Sequence, residues 1–244
     1  MSIEALIFDI DGTMADTEEA HRQAFNLAFA DHELEWNWSQ RVYGDLLKVA
    51  GGKERLAFFI RSLDRSAEEK ERLLKRIPAI HSSKTKHYTS RLMNGGLSLR
   101  PGISRLLHDA QQRRLRLAIA STTTRSNIDT LLAGTFGIEA CGWFEVIACG
   151  DQARRKKPSS DVYELALSKL RIPRERCVAF EDSGNGLTAA KSAGLFTIVA
   201  PTLWTAGDDL SAADILLDGF DQPHLLQTVM SRHSGWMLDR PEVA

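Results

Sequence analysis

The chain has 244 residues, of which 43% are hydrophobic and 26% are charged, and its formal net charge is −1. This is an ordinary globular composition, and the near-neutral charge argues against nucleic-acid and membrane partners. No apolar run approaches the roughly 20 residues of a membrane span, and the N-terminus lacks the basic segment and cleavage site of a signal peptide. Three scattered cysteines indicate neither a disulfide framework nor a metal knuckle. We therefore expect a cytoplasmic protein that works as a monomer.

The chain begins with a short apolar run, residues 3–8, that ends abruptly at Asp9, Asp11 and Gly12. Such a run is typical of a strand buried on both faces of a parallel sheet. Asp9 and Asp11 are two residues apart, so in an extended segment their side chains start on the same face. Neighbouring carboxylates repel each other unless a cation or a shared proton intervenes, which indicates a Mg²⁺ site that includes a carboxylate nucleophile. The alternative is that these residues only form a turn after the strand.

The next segment, residues 16–94, has the apolar spacing of helices. The Gly51-Gly-Lys-Glu-Arg55 segment interrupts this helical pattern. Asn94-Gly-Gly96 is predicted to be a flexible break, after which the pattern changes. After a first helix that starts near residue 17, the predicted helices are 41–48, 56–63, 67–77 and 79–93.

From residue 103 onward, predicted helices and strands alternate, which implies a parallel sheet that the first strand must join. The predicted fold class is α/β, a Rossmann-like doubly wound parallel sheet core with an inserted all-helical cap domain. We expect the core to comprise residues 1–15 and 95–244 and the cap residues 16–94, with candidate hinges near 13–17 and 93–99. The predicted strands are 115–120, 145–149, 177–181, 196–200 and 215–217, and the helices are 103–113, 126–133, 160–170, 186–193 and 223–232.

Three further polar motifs follow predicted strands, at the sheet edge where open α/β folds bind ligands. They are Ser121, Lys156-Lys-Pro158 and Glu181-Asp182-Ser183. A carboxylate can attack phosphorus, a hydroxyl with nearby N–H groups can bind a phosphoryl oxygen, and a lysine can offset the negative charge. A further carboxylate completes the oxygen shell of Mg²⁺.

Each motif also has a purely structural interpretation. Ser121 could be an ordinary helix cap, and Glu181-Asp182 could cap the next helix. Lys156-Lys157 could be a solvated charge pair. The occurrence of all the motifs in order, each at a strand end, favours an active site for phosphoryl chemistry.

The motif set resembles that of the haloacid dehalogenase superfamily of phosphatases, and the helical insertion is similar to the type-one cap of its β-phosphoglucomutase-like branch. Within that branch the chain is similar to the CbbY phosphatases, which remove a phosphate from xylulose 1,5-bisphosphate, a misfire product that inhibits Rubisco. The segments that carry the resemblance are Asp9-Ile-Asp-Gly-Thr13, Ser121-Thr-Thr-Thr124, Lys157-Pro158, Glu181-Asp-Ser-Gly-Asn-Gly186, Thr17-Glu-Glu-Ala-His-Arg-Gln-Ala-Phe25, Gly51-Gly-Lys-Glu-Arg55 and Arg100-Pro-Gly-Ile103.

The resemblance implies a role for each core motif. Asp9 would be the nucleophile, and Asp11 would protonate the leaving sugar oxygen and then activate water. Ser121 and Lys157 would hold the transferring phosphoryl group. The Mg²⁺ ligands that it implies are Asp9, the backbone carbonyl of Asp11, Asp182 and, in support, Glu181.

The resemblance also implies a set of substrate-binding residues. Glu18 and His21 would face the substrate from the cap. Lys53, Arg55 and Arg100 would bind the distal phosphate and the sugar hydroxyls, because basic side chains suit an anionic substrate. The alternatives are that His21 is a structural histidine and that Lys53 and Arg55 are solvated charges at a helix start. The complete set is Glu18, His21, Lys53, Arg55, Arg100 and Thr122.

The expected function is that of a Mg²⁺-dependent phosphatase that converts xylulose 1,5-bisphosphate to xylulose 5-phosphate, so the partner is a small phosphorylated sugar. A β-phosphoglucomutase-like phosphomutase and a general sugar-phosphate phosphatase are the alternatives. A non-catalytic protein on this fold is disfavoured because Asp9, Asp11 and Lys157 are all present. A dehalogenase is disfavoured because the second aspartate and the Glu181-Asp182 motif suit phosphate and Mg²⁺.

Overall fold

The computed structural model of the protein describes residues 2–93 and 97–238. The chain divides into two compact units, an α/β unit formed by Met1–Asp16 and Ser98–Ala244 and a helical unit formed by Thr17–Leu97. The predicted flexible break at Asn94–Gly96 lies outside the described residues. Among the helices that are described, none combines the length and the apolar character needed to cross a membrane.

The α/β unit is built on a parallel sheet with the strand order β3-β2-β1-β4-β5-β6. The chain moves outward from β1 in one direction through β2 and β3 and then in the other through β4, β5 and β6, so the order reverses beside β1. This architecture confirms the predicted doubly wound α/β class. The strands are β1 (Ala5–Phe8), β2 (Arg116–Ala120), β3 (Val146–Ala148), β4 (Cys177–Glu181), β5 (Phe196–Val199) and β6 (Ile215–Leu216).

The central strands are apolar on both faces because helices cover the sheet from both sides. Every residue of β1 is fully buried, and the ring of Phe8 stacks on that of Phe180 in β4 with the centroids 4.7 Å apart. This packing fixes the register in which β1 and β4 end side by side.

The helical unit contains α1 (Glu18–Asp31), α2 (Gln40–Leu46), α3 (Gly52–Ser62) and α4 (Ala67–Met93). The prediction of two helices in the last segment is wrong, because α4 continues through Pro78. Proline removes one backbone hydrogen bond, but the buried face of α4 packs along α1 and holds the helix together on both sides of it. The glycine-rich segment also differs from expectation, since α3 already begins at Gly52 and contains Lys53 and Arg55 in its first turn.

The helices of the α/β unit alternate with its strands as predicted, with ends that differ by a few residues. The largest difference is at the C-terminal helix, which extends to Leu238. The helices are α5 (Ile103–Gln112), α6 (Arg125–Phe136), α7 (Asp161–Leu170), α8 (Gly184–Ser192) and α9 (Leu225–Leu238), with short 3₁₀ turns at Ile138–Trp143 and Arg174–Arg176.

Candidate active site

The ends of β1 and β4 bring three carboxylates together. Asp9 directly follows β1, and its N–H donates to the carbonyl of Phe180 at 3.0 Å. Glu181 is the last residue of β4, and Asp182 follows it. All three side chains are buried, although carboxylates are rarely buried without a partner.

Lys157 lies between two of these carboxylates. Its Nζ donates to Oδ1 of Asp9 and to Oε1 of Glu181, both at 2.6 Å. Burial lowers the pKa of the Lys157 ammonium, but the attraction of Asp9 and Glu181 outweighs burial and raises that pKa above its usual range. Lys157 is therefore a permanent positive charge beside Asp9.

Asp9 itself is in an environment that disfavours its charge. Burial raises the pKa of Asp9 to about 8, because the attraction of Lys157 does not offset burial together with the repulsion from Glu181 and Asp11. A cation among these carboxylates would favour the ionised form of Asp9.

The carboxylates fit a hard cation such as Mg²⁺. Asp9, Glu181 and Asp182 each offer one oxygen, and these oxygens lie within 4.8 Å of one another. Oε2 of Glu181 is buried and has no hydrogen-bond partner among the described residues. A buried, unpartnered carboxylate oxygen is costly unless a cation or water satisfies it, so the donor set suits Mg²⁺.

A sharp turn after β1 positions Asp11 outside this group of oxygens. Gly12 has a φ of +89°, and a Cβ atom added to it would lie 2.2 Å from Oδ2 of Asp182. Glycine is therefore needed here both for the backbone conformation and for the approach of Asp182. The backbone of the half-buried Asp11 forms an isolated β-bridge with Ala15. Strand β1 therefore ends at Phe8 and does not continue through Asp11.

Ser121 lies at the end of β2, the neighbour of β1 on the side away from β4. Its side chain is buried, and its Oγ accepts a hydrogen bond from the N–H of Thr123 at 3.3 Å. Thr122 follows it and is half-buried. The side chain that caps α6 is that of Thr124, which accepts from the N–H of Asn127, so the capping interpretation of Ser121 is wrong.

The structural interpretations of the other two strand-end motifs are also wrong. Ser183, rather than Glu181 or Asp182, caps α8 by accepting a hydrogen bond from the N–H of Gly186. Lys157 is buried in an ion pair instead of solvated, whereas Lys156 is half-buried.

The guanidinium of Arg100 donates hydrogen bonds to backbone carbonyls of the α/β unit. Its NH1 donates to the carbonyls of Gly12 and Ala200, both at 2.7 Å, and its NH2 donates to the carbonyl of Pro201. Its guanidinium also lies over the ring of Phe220. Arg100 therefore joins the Gly12 turn to the end of β5.

In the helical unit, Glu18 is the end of a chain of hydrogen bonds. The hydroxyl of Tyr43 donates to Oε2 of Glu18 at 2.7 Å, and NH1 of Arg55 donates to the Tyr43 hydroxyl at 2.8 Å. Nε of Arg55 donates to the carbonyl of Leu46. Arg55 is buried, so its interpretation as a solvated charge is wrong, and it acts on Glu18 through Tyr43.

His21 is buried one turn further along α1. Its Nδ1 lies 2.7 Å from Nζ of Lys84, and its ring stacks on Tyr88 with the centroids 4.0 Å apart. Lys84 is buried as well. Lys53, in contrast to the buried His21 and Arg55, has an exposed side chain at the start of α3.

Sequence reasoning missed three buried polar residues that contact the expected site residues, namely Tyr43, Lys84 and Tyr163. Lys84 could have been found, because it is a lysine at a helical spacing otherwise occupied by apolar residues such as Ile80 and Tyr88. Tyr43 and Tyr163 resemble ordinary core aromatics in the sequence, and only the structure shows where their hydroxyls lie.

Comparisons with known proteins show which family the chain belongs to. The family model for haloacid dehalogenase-like hydrolases matches residues 3–194. The chain belongs to the haloacid dehalogenase-like hydrolases. This confirms the resemblance that the motifs predicted.

Individual members of the family are also similar to this chain. The CbbY protein of Rhodobacter capsulatus is 47% identical over 214 residues, which are 88% of this chain and 92% of that protein. The crystal structure of a CbbY variant from Rhodobacter sphaeroides in complex with xylulose 1,5-bisphosphate is 44% identical, has a TM-score of 0.83, and is matched over 90% of this chain and 96% of that one. A phosphorylated carbohydrates phosphatase of Thermotoga maritima is 30% identical over 79% of this chain and 82% of that protein. This haloacid dehalogenase-like hydrolase is a phosphatase.

Proposed function

We propose that the protein is a Mg²⁺-dependent sugar-phosphate phosphatase that acts through an aspartyl-phosphate and converts xylulose 1,5-bisphosphate to xylulose 5-phosphate. The observation that carries the reaction type is the buried Asp9 carboxylate, hydrogen-bonded to Lys157 within a group of three carboxylates. The observation that favours the substrate is the similarity to a CbbY structure that contains xylulose 1,5-bisphosphate. Removal of this bisphosphate would relieve the inhibition of Rubisco.

In the proposed first step, a carboxylate oxygen of Asp9 attacks phosphorus and the bond to the sugar oxygen breaks. Lys157 neutralises charge on Asp9 and on the phosphoryl oxygens, and it needs no reorganisation because it already lies 2.6 Å from Asp9. The hydroxyl of Ser121 and the N–H groups of the loop after it bind a phosphoryl oxygen, with Thr122 in support.

Asp11 is proposed as the general acid and base. It donates a proton to the leaving sugar oxygen and then removes a proton from the water that hydrolyses the aspartyl-phosphate. One group can serve both steps because the first step leaves it ionised.

The residues that would hold Mg²⁺ are Asp9, the backbone carbonyl of Asp11, Asp182 and, in support, Glu181. When bound, Mg²⁺ offsets the negative charge that nucleophile and phosphate bring together. The protein's own part is to hold these oxygens in place, which the Gly12 turn and the Lys157 contacts do.

The helical unit is proposed to recognise the sugar and the distal phosphate. Lys53 is exposed and positively charged, so it suits the distal phosphate. Glu18 and His21 suit sugar hydroxyls, and both are held by buried partners, Tyr43 and Lys84 respectively. Such support restricts the rotamers of the binding groups before substrate arrives.

Phosphate release with Mg²⁺ from a panel of substrates tests this proposal. The panel is xylulose 1,5-bisphosphate, ribulose 1,5-bisphosphate, β-glucose 1-phosphate, fructose 1,6-bisphosphate and phosphoglycolate. We expect kcat/KM for xylulose 1,5-bisphosphate to exceed that for ribulose 1,5-bisphosphate by orders of magnitude. A flat profile would instead indicate a general sugar-phosphate phosphatase. Formation of glucose 6-phosphate from β-glucose 1-phosphate without phosphate release would indicate a phosphomutase.

A further inference from the structure

The hydroxyl of Tyr163 contacts the carboxylate group of Glu181. Tyr163 lies in the first turn of α7, its side chain is fully buried, and its hydroxyl donates to Oε1 of Glu181 at 2.5 Å. The same oxygen accepts the hydrogen bond from Lys157 at 2.6 Å. Two donors therefore converge on one oxygen of Glu181, and Oε2 has no hydrogen-bond partner among the described residues.

The carboxylate of Glu181 is also closely confined by the backbone of Gly186. A Cβ atom added to Gly186, in the first turn of α8, would lie 1.9 Å from Oε2 and 2.4 Å from Oε1 of Glu181. The carboxylate thus occupies the space that any other residue at position 186 would fill. A partial rotation of the carboxylate about its last bond would break both hydrogen bonds and move the other oxygen out of its position.

From these contacts we infer that Tyr163 is a positioning residue for the metal site. Its hydroxyl holds Oε1 of Glu181 together with Lys157, so that Oε2 stays available to Mg²⁺ or to a water in the Mg²⁺ shell. The inference rests on the proposed Mg²⁺ site, and it adds a residue that does not itself contact the cation. Partners of this kind typically improve metal affinity by about 10- to 100-fold.

The aromatic ring of Tyr163 has a separable role. Nζ of Lys157 lies 5.0 Å from the ring centroid, a cation–π distance. Phenylalanine would keep this contact and the packing of α7 and would remove only the hydroxyl. Tyr163→Phe is therefore a specific test of the hydroxyl.

The experiment measures the Kd of the full chain for Mg²⁺ alone by isothermal titration calorimetry, and kcat and KM for p-nitrophenyl phosphate over a range of Mg²⁺ concentrations. For Tyr163→Phe we expect the Kd for Mg²⁺ to rise by about 10-fold or more. At saturating Mg²⁺, kcat should return to within about threefold of wild type, because the hydroxyl acts through the metal site. An unchanged Kd overturns the inference, whether or not kcat falls.

Tyr43→Phe is the matched control, because it removes a buried tyrosine hydroxyl from the helical unit, which contains none of the three carboxylates Asp9, Glu181 and Asp182. Its Kd for Mg²⁺ should equal that of wild type, and an equal rise in both variants contradicts a specific role for Tyr163. In a Glu181→Ala background, Tyr163→Phe should change the Kd by less than about twofold, because its target is gone. Additive effects would show that Tyr163 does not act through Glu181.

Different results would contradict the proposed Mg²⁺ site and the proposed role of Tyr163. If the wild-type chain binds no Mg²⁺, the proposed metal site and the role of Tyr163 are both wrong. If wild type binds Mg²⁺ and Tyr163→Phe binds it equally well, only the role of Tyr163 is wrong.

Discussion

Nζ of Lys157 lies 2.6 Å from Oδ1 of Asp9, and both side chains are buried. The two residues are 148 positions apart in the chain, and they meet because β1 ends beside the loop that follows β3 and precedes α7. Lys157 favours the ionised form of the proposed nucleophile against the effect of burial, and it holds Glu181 in the same way.

Replacement of Lys157 should destabilise the protein strongly. Above about pH 8, where Asp9 is ionised, Lys157→Met leaves two buried carboxylates without their cation, and loss of one partner of a buried ion pair costs about 3–5 kcal/mol. Urea unfolding in EDTA measures this loss, with Lys156→Met as the control, for which we expect a change below about 1 kcal/mol. Adding Asp9→Asn to Lys157→Met should restore part of the stability, and a loss no larger than that of the control would show that the pair contributes little.

Asp9→Asn should abolish turnover and preserve the fold. The amide is nearly isosteric with the carboxylate but is a poor nucleophile, so we expect kcat to fall by at least about 1,000-fold. Phosphate release measures the activity, and circular dichroism and thermal unfolding check the fold. Activity close to wild type in a folded Asp9→Asn protein would exclude Asp9 as the nucleophile.

The stability of the metal-free protein should depend on the ionisation of Asp9. Its pKa is about 8 in the folded state and near the ordinary value of 3.8 in the unfolded chain. Between these values the folded state binds the extra proton, so the free energy of unfolding should fall as pH rises from about 4 to about 8 and level off above that.

The comparison that isolates Asp9 is the difference in unfolding free energy between wild type and Asp9→Asn, measured in EDTA at several pH values. Asparagine does not titrate, so wild type should lose stability relative to the variant across this window. Parallel curves for the two proteins would show that the pKa of Asp9 is not raised by folding.

Lys53 should select for the second phosphate of the substrate. Lys53→Ala should raise KM for xylulose 1,5-bisphosphate by at least about 10-fold, because a charge-assisted contact is worth about 1.5–3 kcal/mol. The KM for p-nitrophenyl phosphate, which has no second phosphate, should change by less than about twofold. Equal changes for both substrates would remove Lys53 from distal-phosphate recognition.

Arg100 should contribute to stability and not to substrate selection. Arg100→Ala leaves the carbonyls of Gly12, Ala200 and Pro201 without their donor, which should cost about 2–4 kcal/mol of unfolding free energy. The ratio of kcat/KM for xylulose 1,5-bisphosphate to that for p-nitrophenyl phosphate should stay within about threefold of wild type. A selective loss for the bisphosphate would restore Arg100 to the substrate site.

Local sequence was informative where the chemistry lies directly at a strand end. Asp9 and Glu181 each terminate a short apolar run, and parallel strands end at the same edge, so their location at one edge of the sheet follows from the pattern, whereas the pairing of β1 with β4 does not. Helix ends were less predictable, as α3 and α4 show, because tertiary packing overrides the local preferences of Gly52 and Pro78.

The direction and partners of long side chains could not be predicted. Arg55 and Arg100 were both expected to bind an anion, yet one donates to Tyr43 and the other to three backbone carbonyls. A guanidinium can reach several groups from one backbone position, and its choice depends on acceptors that lie far away in the sequence.

The sequence by itself determined the α/β class, the helical insertion and the strand-end motifs. The spacing of hydrophobic residues and the order of the elements along the chain can both be read directly from the sequence. Only the tertiary structure decided which polar groups support those motifs. The hydroxyl of Tyr163 meets Glu181 18 residues away, and Lys84 meets His21 63 residues away. Such contacts depend on how α7 packs against the sheet and α4 packs against α1, and no local pattern records that packing.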